Sequence, residues 1–262
     1  MLGFNGGLLG KRRVPSVGVA SGLWFPNEQS VAQRAGIWPE VVTDPTPGLS
    51  PLLWYDFADE STVSVSSGQV AQINSKGSTA WSLTKSATGP DYVTGINGMK
   101  CANWGGSPHS NYLRNTSTAS MNMAEFYLVL DASFGSVFPA YNGVFSTGNQ
   151  WSVTGFQNRD GFYAEAFNQA YINGSSVNAY AGVIVGSPAG ILPAINTASL
   201  LRIVGSAANT TSGFQLGMDR NIAGRGWYGL MGEVIVFSSP LSTQDRTTLQ
   251  NWLASKWGIT LS

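Results

Sequence analysis

Six aromatic side chains and a sparse set of carboxylates are the places where this 262-residue chain could do chemistry. Trp104, Tyr112, Trp151, Tyr163, Tyr171 and Trp227 lie among Ser, Thr, Asn and Gly. That mixture suits sugar binding, because an aromatic face stacks on the apolar side of a pyranose while amides and backbone groups bond its hydroxyls. Whichever of the six reach the surface are the candidate glycan contacts; the others belong to the core. Cleaving a glycan with retention would instead need two carboxylates about 5 to 5.5 Å apart. Glu125 and Asp131 have only apolar residues between them, and Asp160 and Glu165 stand at an odd offset that points them to opposite faces of a strand.

Other reactive groups are few. A single cysteine, Cys101, excludes an intramolecular disulfide framework, and a single histidine, His109, excludes a site built on two imidazoles. His109 sits in Gly106-Ser107-Pro108-His109-Ser110 with no nucleophile motif beside it and reads as a loop residue, while Cys101 reads as a small core residue in a strand. No stretch offers a recognisable set of oxygen ligands for calcium. No metal or other cofactor is therefore expected.

Fourteen basic and fourteen acidic residues cancel, so no net field draws the chain to nucleic acid or to an anionic membrane, and neither partner is expected. Charged residues are 11% of the chain, against roughly 25% in ordinary soluble proteins. The surface must then be covered mainly by Ser, Thr, Asn, Gln and Gly, which suits a protein held at high density in an assembly and equally suits an ordinary extracellular β-domain. No apolar run approaches the length of a membrane span. Lys11-Arg12-Arg13 follows a short apolar and glycine-rich stretch instead of preceding a longer one, so no secretory signal is expected, and synthesis in the cytoplasm is.

The elements that would position these residues divide the chain in three. Residues 1 to 43 combine glycines, a basic cluster and a helical stretch of about two turns between Asn27 and Gly36, which suit its N-cap and C-cap. Residues 44 to 51 hold three prolines and read as a linker without helix or sheet. From residue 52 onward, short apolar or alternating runs are separated by Gly, Asn, Ser and Pro. Strands are predicted over 52–58, 69–73, 99–104, 125–130, 151–156, 161–167, 181–185, 200–204, 214–218 and 232–237. Phe126 to Leu130 and Val234 to Phe237 are apolar at consecutive positions, so both faces of those strands should be covered. A terminal helix starts at a capping-box-like Ser242 and Asp245, presents Leu249, Trp252 and Leu253 on one face, and stops at Gly258. It should lie against the sandwich edge, with Glu233 paired to Arg246. The fold class is all-β: an antiparallel jelly-roll-like sandwich with a C-terminal helix and an N-terminal arm.

The segment Trp227-Tyr228-Gly229-Leu230-Met231-Gly232-Glu233-Val234-Ile235-Val236-Phe237, followed by Leu241-Ser242, Asp245-Arg246, Leu249, Trp252-Leu253 and Lys256-Trp257-Gly258, resembles the last strand and terminal helix of phage-encoded laminin-G-like, concanavalin-A-like domains. Leu53-Trp54-Tyr55-Asp56 is similar to their first strand. The resemblance implies a concanavalin-A-like sandwich over 52–262. Retaining β-glucanases share that fold and carry roughly Glu-x-Asp-x-x-Glu on one strand, a pattern this chain lacks.

A second resemblance lies in residues 1 to 43. Gly3-Phe4-Asn5-Gly6-Gly7-Leu8-Leu9-Gly10 with Arg12-Arg13, then Ala20-Ser21-Gly22-Leu23-Trp24, Glu28-Gln29, Arg34-Ala35-Gly36 and Trp38-Pro39, resembles an N-terminal module of virion surface proteins of marine and cyanobacterial phages. It implies docking to the particle through Phe4, Arg12, Arg13, Trp24, Phe25, Arg34 and Trp38, with cations meeting carboxylates and indoles filling pockets. The expected function is that of a non-enzymatic, homo-oligomeric structural protein on the surface of a tailed phage, a fibre or decoration protein of head or tail. Its partners are other virion proteins, with host-surface or environmental glycans bound by the outward domain. A free carbohydrate-binding module and a glycan hydrolase are the alternatives.

Overall fold

The computed structural model describes residues 44–104, 111–132, 141–147, 151–156, 159–164, 167–177, 197–218 and 226–262. The chain divides into two units, residues 1–43 and Asp44–Ser262. The helix expected between Asn27 and Gly36, the strand expected over 181–185, and His109 lie outside the described residues.

In chain order the second unit contains the helical turn α1 (Thr46–Leu49) and the strands β1 (Leu53–Asp56), β2 (Val63–Ser66), β3 (Gln69–Ile73), β4 (Leu83–Lys85), β5 (Asp91–Thr94) and β6 (Lys100–Asn103). Then come β7 (Leu113–Ala132), β8 (Tyr141–Thr147), β9 (Trp151–Phe156), β10 (Arg159–Ala164), β11 (Phe167–Ile172), β12 (Ser175–Val177), β13 (Ser199–Leu216), β14 (Gly229–Phe237) and the helix α2 (Thr243–Trp257). The path of paired strands runs β1-β14-β6-β5-β3-β4-β7-β13-β8-β9-β10, with β7 also pairing β14 and β11 joining β13 to β12. Every pairing between these strands is antiparallel. The domain is an all-β antiparallel sandwich closed by a C-terminal helix.

Two long strands organise it. The second half of β7 pairs with β14 and with the first half of β13, whereas its first residues pair with β4 and with the second half of β13. The β7–β13 ladder is broken by register shifts between Val204 and Asn209 and between Ser212 and Phe214, the kind of irregularity at which a continuous strand pair bends from one layer into the next. Between its β4 and β14 pairings, β7 caps part of its own edge: Ser117 N–H donates to Asn115 Oδ1 at 2.7 Å and Ala119 N–H to Ser117 Oγ at 3.2 Å.

Strand alternation sorts the apolar runs into two layers. Leu53, Tyr55, Phe126, Leu128, Leu130, Leu201, Ile203, Val234 and Val236 face the interior of the sandwich with Phe145 and Phe214, whose rings lie 5.7 Å apart. Trp54, Tyr127, Val129, Ile235 and Phe237 point the other way and are covered by Leu249, Trp252, Leu253 and Trp257 of α2. Both faces of β7 over residues 126–130 and of β14 over residues 234–237 are thus buried, as their unbroken apolar runs require. The helix lies across this face of the sheet, not at the sandwich edge as expected, because the outward residues of the central strands are too large and apolar to leave in water. Its boundaries are those read from the sequence: Ser242 Oγ accepts from Asp245 N–H at 3.2 Å, and Gly258 closes the helix at φ 67°.

Residues 44–51 depart from the expected structureless linker, since α1 forms with Pro47 in its first turn. The position explains the tolerance: a first-turn residue has no intrahelical partner for its N–H, so proline forfeits nothing there. Asp44 Oδ1 accepts from Thr46 N–H at 2.9 Å. The strand expected over 161–167 is two strands, β10 and β11. No helix among the described residues is long and apolar enough to cross a membrane.

Because Leu253 is buried between α2 and the sheet, Leu253→Ala should destabilise the domain by about 2 to 5 kcal/mol. Urea unfolding followed by tryptophan fluorescence would measure the loss, and a change below about 1 kcal/mol would mean that the helix contributes little to the core.

Candidate functional site

The most concentrated polar chemistry lies under the two ends of α2. Asp56, the last residue of β1, is the register partner of Glu233 in β14. Two carboxylates directly opposite on a sheet repel, and both are buried, so the arrangement needs cations and donors around it. Lys256, in the last turn of α2, supplies the bridge: its Nζ is 2.7 Å from Glu233 Oε2 and 2.9 Å from Asp56 Oδ2. Glu233 also accepts from Trp54 Nε1 on one oxygen and from Trp257 Nε1 on the other, each at 2.7 Å. Lys76 completes the group, 3.3 Å from Asp56 and 2.9 Å from Asp59, with its Nζ 3.9 Å from the centre of a Trp54 ring.

The glycine before this carboxylate belongs to the same construction. A Cβ on Gly232 would stand 2.5 Å from the Trp257 ring. Gly232-Glu233 and Lys256-Trp257-Gly258 are therefore one physical unit, a latch between the last strand and the terminal helix. Burial, and then the negative charge of Asp56, push the Glu233 carboxyl up to about 7, while Lys256 and the Trp257 indole pull the other way.

Glu233 does not pair with Arg246, contrary to expectation. Arg246 is in the first turn of α2 and Lys256 in the last, about 15 Å apart along the axis at 1.5 Å per residue. Only Lys256 reaches Glu233; Arg246 Nε instead lies 3.3 Å from Glu125 Oε1 in β7. Glu125 is fully buried and further accepts from Tyr127 Oη at 2.8 Å and from Leu241 N–H at 2.6 Å, with Arg202 Nη1 at 3.5 Å. Each end of the helix is thus pinned through a buried glutamate.

These carboxylates are held by cations and donors of the domain itself. Glu125 and Asp131 are six residues apart on one strand, about 20 Å, beyond the carboxylate separations of either retaining or inverting glycosidases. Glu165 lies outside the described residues, as does the side chain of Asp160. Cys101 is a buried core residue, and desolvation pushes its thiol up to about 11. Among the described residues, no group of three or more His, Cys, Asp or Glu side chains could hold a metal ion.

The glycan candidates separate by burial. Trp104 and Trp227 are in the core and cannot stack on a sugar, which corrects the expectation for both. Trp104 packs edge-to-face with Phe57 at 6.3 Å, and its indole lies against Gly217, where a Cβ would overlap it. Trp151 in β9 and Tyr163 in β10 are in strands, but their side chains are outside the described set, and the docking residues Phe4, Arg12, Arg13, Trp24, Phe25, Arg34 and Trp38 lie outside it altogether. Tyr112 is half-buried with the Arg114 guanidinium 5.5 Å from its ring centre. Tyr171 is also half-buried, and its ring is stacked on the Arg202 guanidinium at 3.5 Å. Arg202 escapes a reading by motif; its signal is an arginine inside the apolar run Leu200-Leu201-Arg202-Ile203-Val204, where a buried charge demands a partner.

No protein-family model, curated protein or solved structure matches this chain.

The latch has a pH signature. The folded domain holds the Glu233 proton more tightly than the unfolded chain, so between pH 4.5 and about 7 the native state carries more protons. The stability contributed by this group is complete below 4.5, declines as pH rises through about 7, and is constant above. Thermal unfolding across this range should show the decline in the wild type and a flatter profile in Glu233→Gln. Parallel profiles would show that Glu233 does not titrate there.

Proposed function

We propose that this chain is a non-enzymatic structural protein of a tailed-phage particle, anchored by residues 1–43 and displaying the sandwich outward as a glycan-adhesive surface. One observation carries the non-enzymatic part of the reading: Asp56, Glu125 and Glu233 are all buried and held by lysines, arginines, indoles or backbone donors between sheet and helix. Carboxylates held in this way stabilise a scaffold and have no room to approach a glycosidic bond. Within the segment 227–258 that carries the resemblance to phage-encoded domains, Gly232, Glu233, Lys256 and Trp257 meet in the latch and Gly258 ends the helix.

The particle assignment rests on the resemblance in residues 1–43. Its composition supports such a role: glycines permit close backbone approach, Arg12, Arg13 and Arg34 can form bidentate pairs with carboxylates, and Trp24 and Trp38 are typical of anchoring residues at interfaces. A surface poor in charge is compatible with dense display, because neighbouring copies repel one another weakly.

Binding to phage particles stripped of the protein tests the reading. The full-length chain should bind, and a form comprising residues 44–262 should fold with the same tryptophan emission and fail to bind. Equal binding by the two forms would show that the arm is not the anchor, and release of reducing sugar from a bacterial polysaccharide by the purified chain would overturn the non-enzymatic assignment.

A further inference from the structure

One row of side chains crosses the helix-bearing face of the sheet. Register partners connect Trp54 to Ile235, Ile235 to Tyr127, Tyr127 to Arg202, Arg202 to Tyr171 and Tyr171 to Ser176. Partners directly opposite on antiparallel strands project to the same face. The first three residues are buried in the layer shared with α2. Past Tyr127 the row emerges: Arg202 is still buried, Tyr171 is half-buried and Ser176 is exposed.

The two faces of the Tyr171 ring therefore meet different surroundings. Arg202 in β13 stacks on one face at 3.5 Å. On the opposite side the neighbouring strand is β12, and the residue it presents is the small, exposed Ser176. Arg202 is itself anchored, its Nη1 lying 3.5 Å from the buried Glu125. The Tyr171 hydroxyl donates to Oε1 of the exposed Gln169 at 3.2 Å, two residues earlier on the same face. An aromatic ring backed by an immobilised guanidinium, with a hydroxyl and an amide at its rim and the small, exposed Ser176 beside it on the neighbouring strand, is a preorganised stacking platform.

We propose that Tyr171, Gln169 and Ser176 form a saccharide-binding site that takes a pyranose ring by its C–H face. The ring of Tyr171 supplies the apolar contact, the Gln169 amide and the Ser176 hydroxyl bond the sugar hydroxyls, and Arg202 acts as a positioning residue that fixes the plane of the tyrosine. The site rests on the glycan-adhesive reading above and gives it a location at the edge of the helix-covered face.

The full-length chain should be titrated with the methyl pyranosides of glucose, galactose, mannose and N-acetylglucosamine, following saturation transfer to the sugar and the amide shifts of residues 169–176. At least one pyranoside should bind and shift Tyr171 and Ser176. Tyr171→Ala should lose about tenfold in affinity, whereas Tyr171→Phe, which keeps the stacking face, should stay within about threefold. Ser176→Phe, at an exposed position away from the core, would place a bulky ring beside Tyr171 on the side away from Arg202 and abolish binding even if Tyr171→Ala failed to fold. Pyranoside binding unchanged in Tyr171→Ala and Ser176→Phe would overturn this site and leave the glycan reading intact. Absence of binding by any of the four sugars to the wild type would overturn both.

Discussion

Burying Glu233 opposite Asp56 is the constraint on which the rest of the domain turns. Two carboxylates facing each other on neighbouring strands and shut away from water carry a large desolvation penalty, and only donors fixed in advance offset it. Those donors come from separate parts of the sequence: Trp54 from the first strand, Lys76 from the segment after β3, and Lys256 and Trp257 from the last turn of α2. The first strand, the last strand and the terminal helix therefore satisfy one another only when all are in place. Removing a single partner from such a buried group leaves an uncompensated charge, which costs about 3 to 5 kcal/mol, so the latch makes the closing of the domain cooperative.

The second buried glutamate does the same work at the other end of the helix. Glu125 holds Leu241 N–H and Arg246, and so fixes where α2 begins, while Glu233 fixes where it ends. Between the two pins the contact is apolar, made by Leu249, Trp252, Leu253 and Trp257 on the outward residues of β1, β7 and β14. Apolar contact alone is non-directional and would tolerate a helix rotated or slid by a turn. The two polar pins, set about three turns apart, select one placement. Beyond the helix, the same sheet face continues to Arg202 and Tyr171, so the charge that pins the helix start also holds the arginine stacked on this half-buried aromatic.

Much of this could be read from the residues and some of it could not, for definite reasons. The helix ends were legible because capping is local: Ser242 with Asp245 and the terminal Gly258 act within a few residues of one another. The central strands were legible because coverage on both faces leaves an unbroken apolar run, as in Phe126 to Leu130 and Val234 to Phe237. Strands such as β2, with Val63-Ser64-Val65-Ser66, and β12, with Ser175-Ser176-Val177, carry no such run, since they are short and largely exposed, and their pairing is decided by neighbours distant in sequence. The partner of Glu233 was misassigned for a similar reason. Arg246 and Lys256 are equally plausible as isolated cations, and only the placement of the helix relative to β14 decides between them. Burial of Trp104 and Trp227 was equally hidden, because a tryptophan among glycines and serines has the same local appearance in a core as on a surface.

The economy of charge in the chain follows from the same arrangement. With fourteen acidic and fourteen basic residues in 262, a notable part of a small supply is placed inside: Asp56, Glu125, Glu233 and Arg202 are buried, and Lys256 is largely so. Among the described residues, the surface carries neutral polar groups such as Gln169 and Ser176 and half-buried aromatics such as Tyr112 and Tyr171. A surface of this kind cannot select a ligand by long-range attraction, which needs an imbalance of charge. In the proposed adhesive role it recognises by contact, through ring faces and short hydrogen bonds, and contact recognition of that sort is weak per site. Weak sites become effective when many copies act together, since linking them makes each later binding event intramolecular. The interior use of charge and the neutral balance thus reflect one physical choice: the domain uses its ions to hold its own shape, and the adhesive role proposed above would rest on uncharged contacts multiplied by copy number.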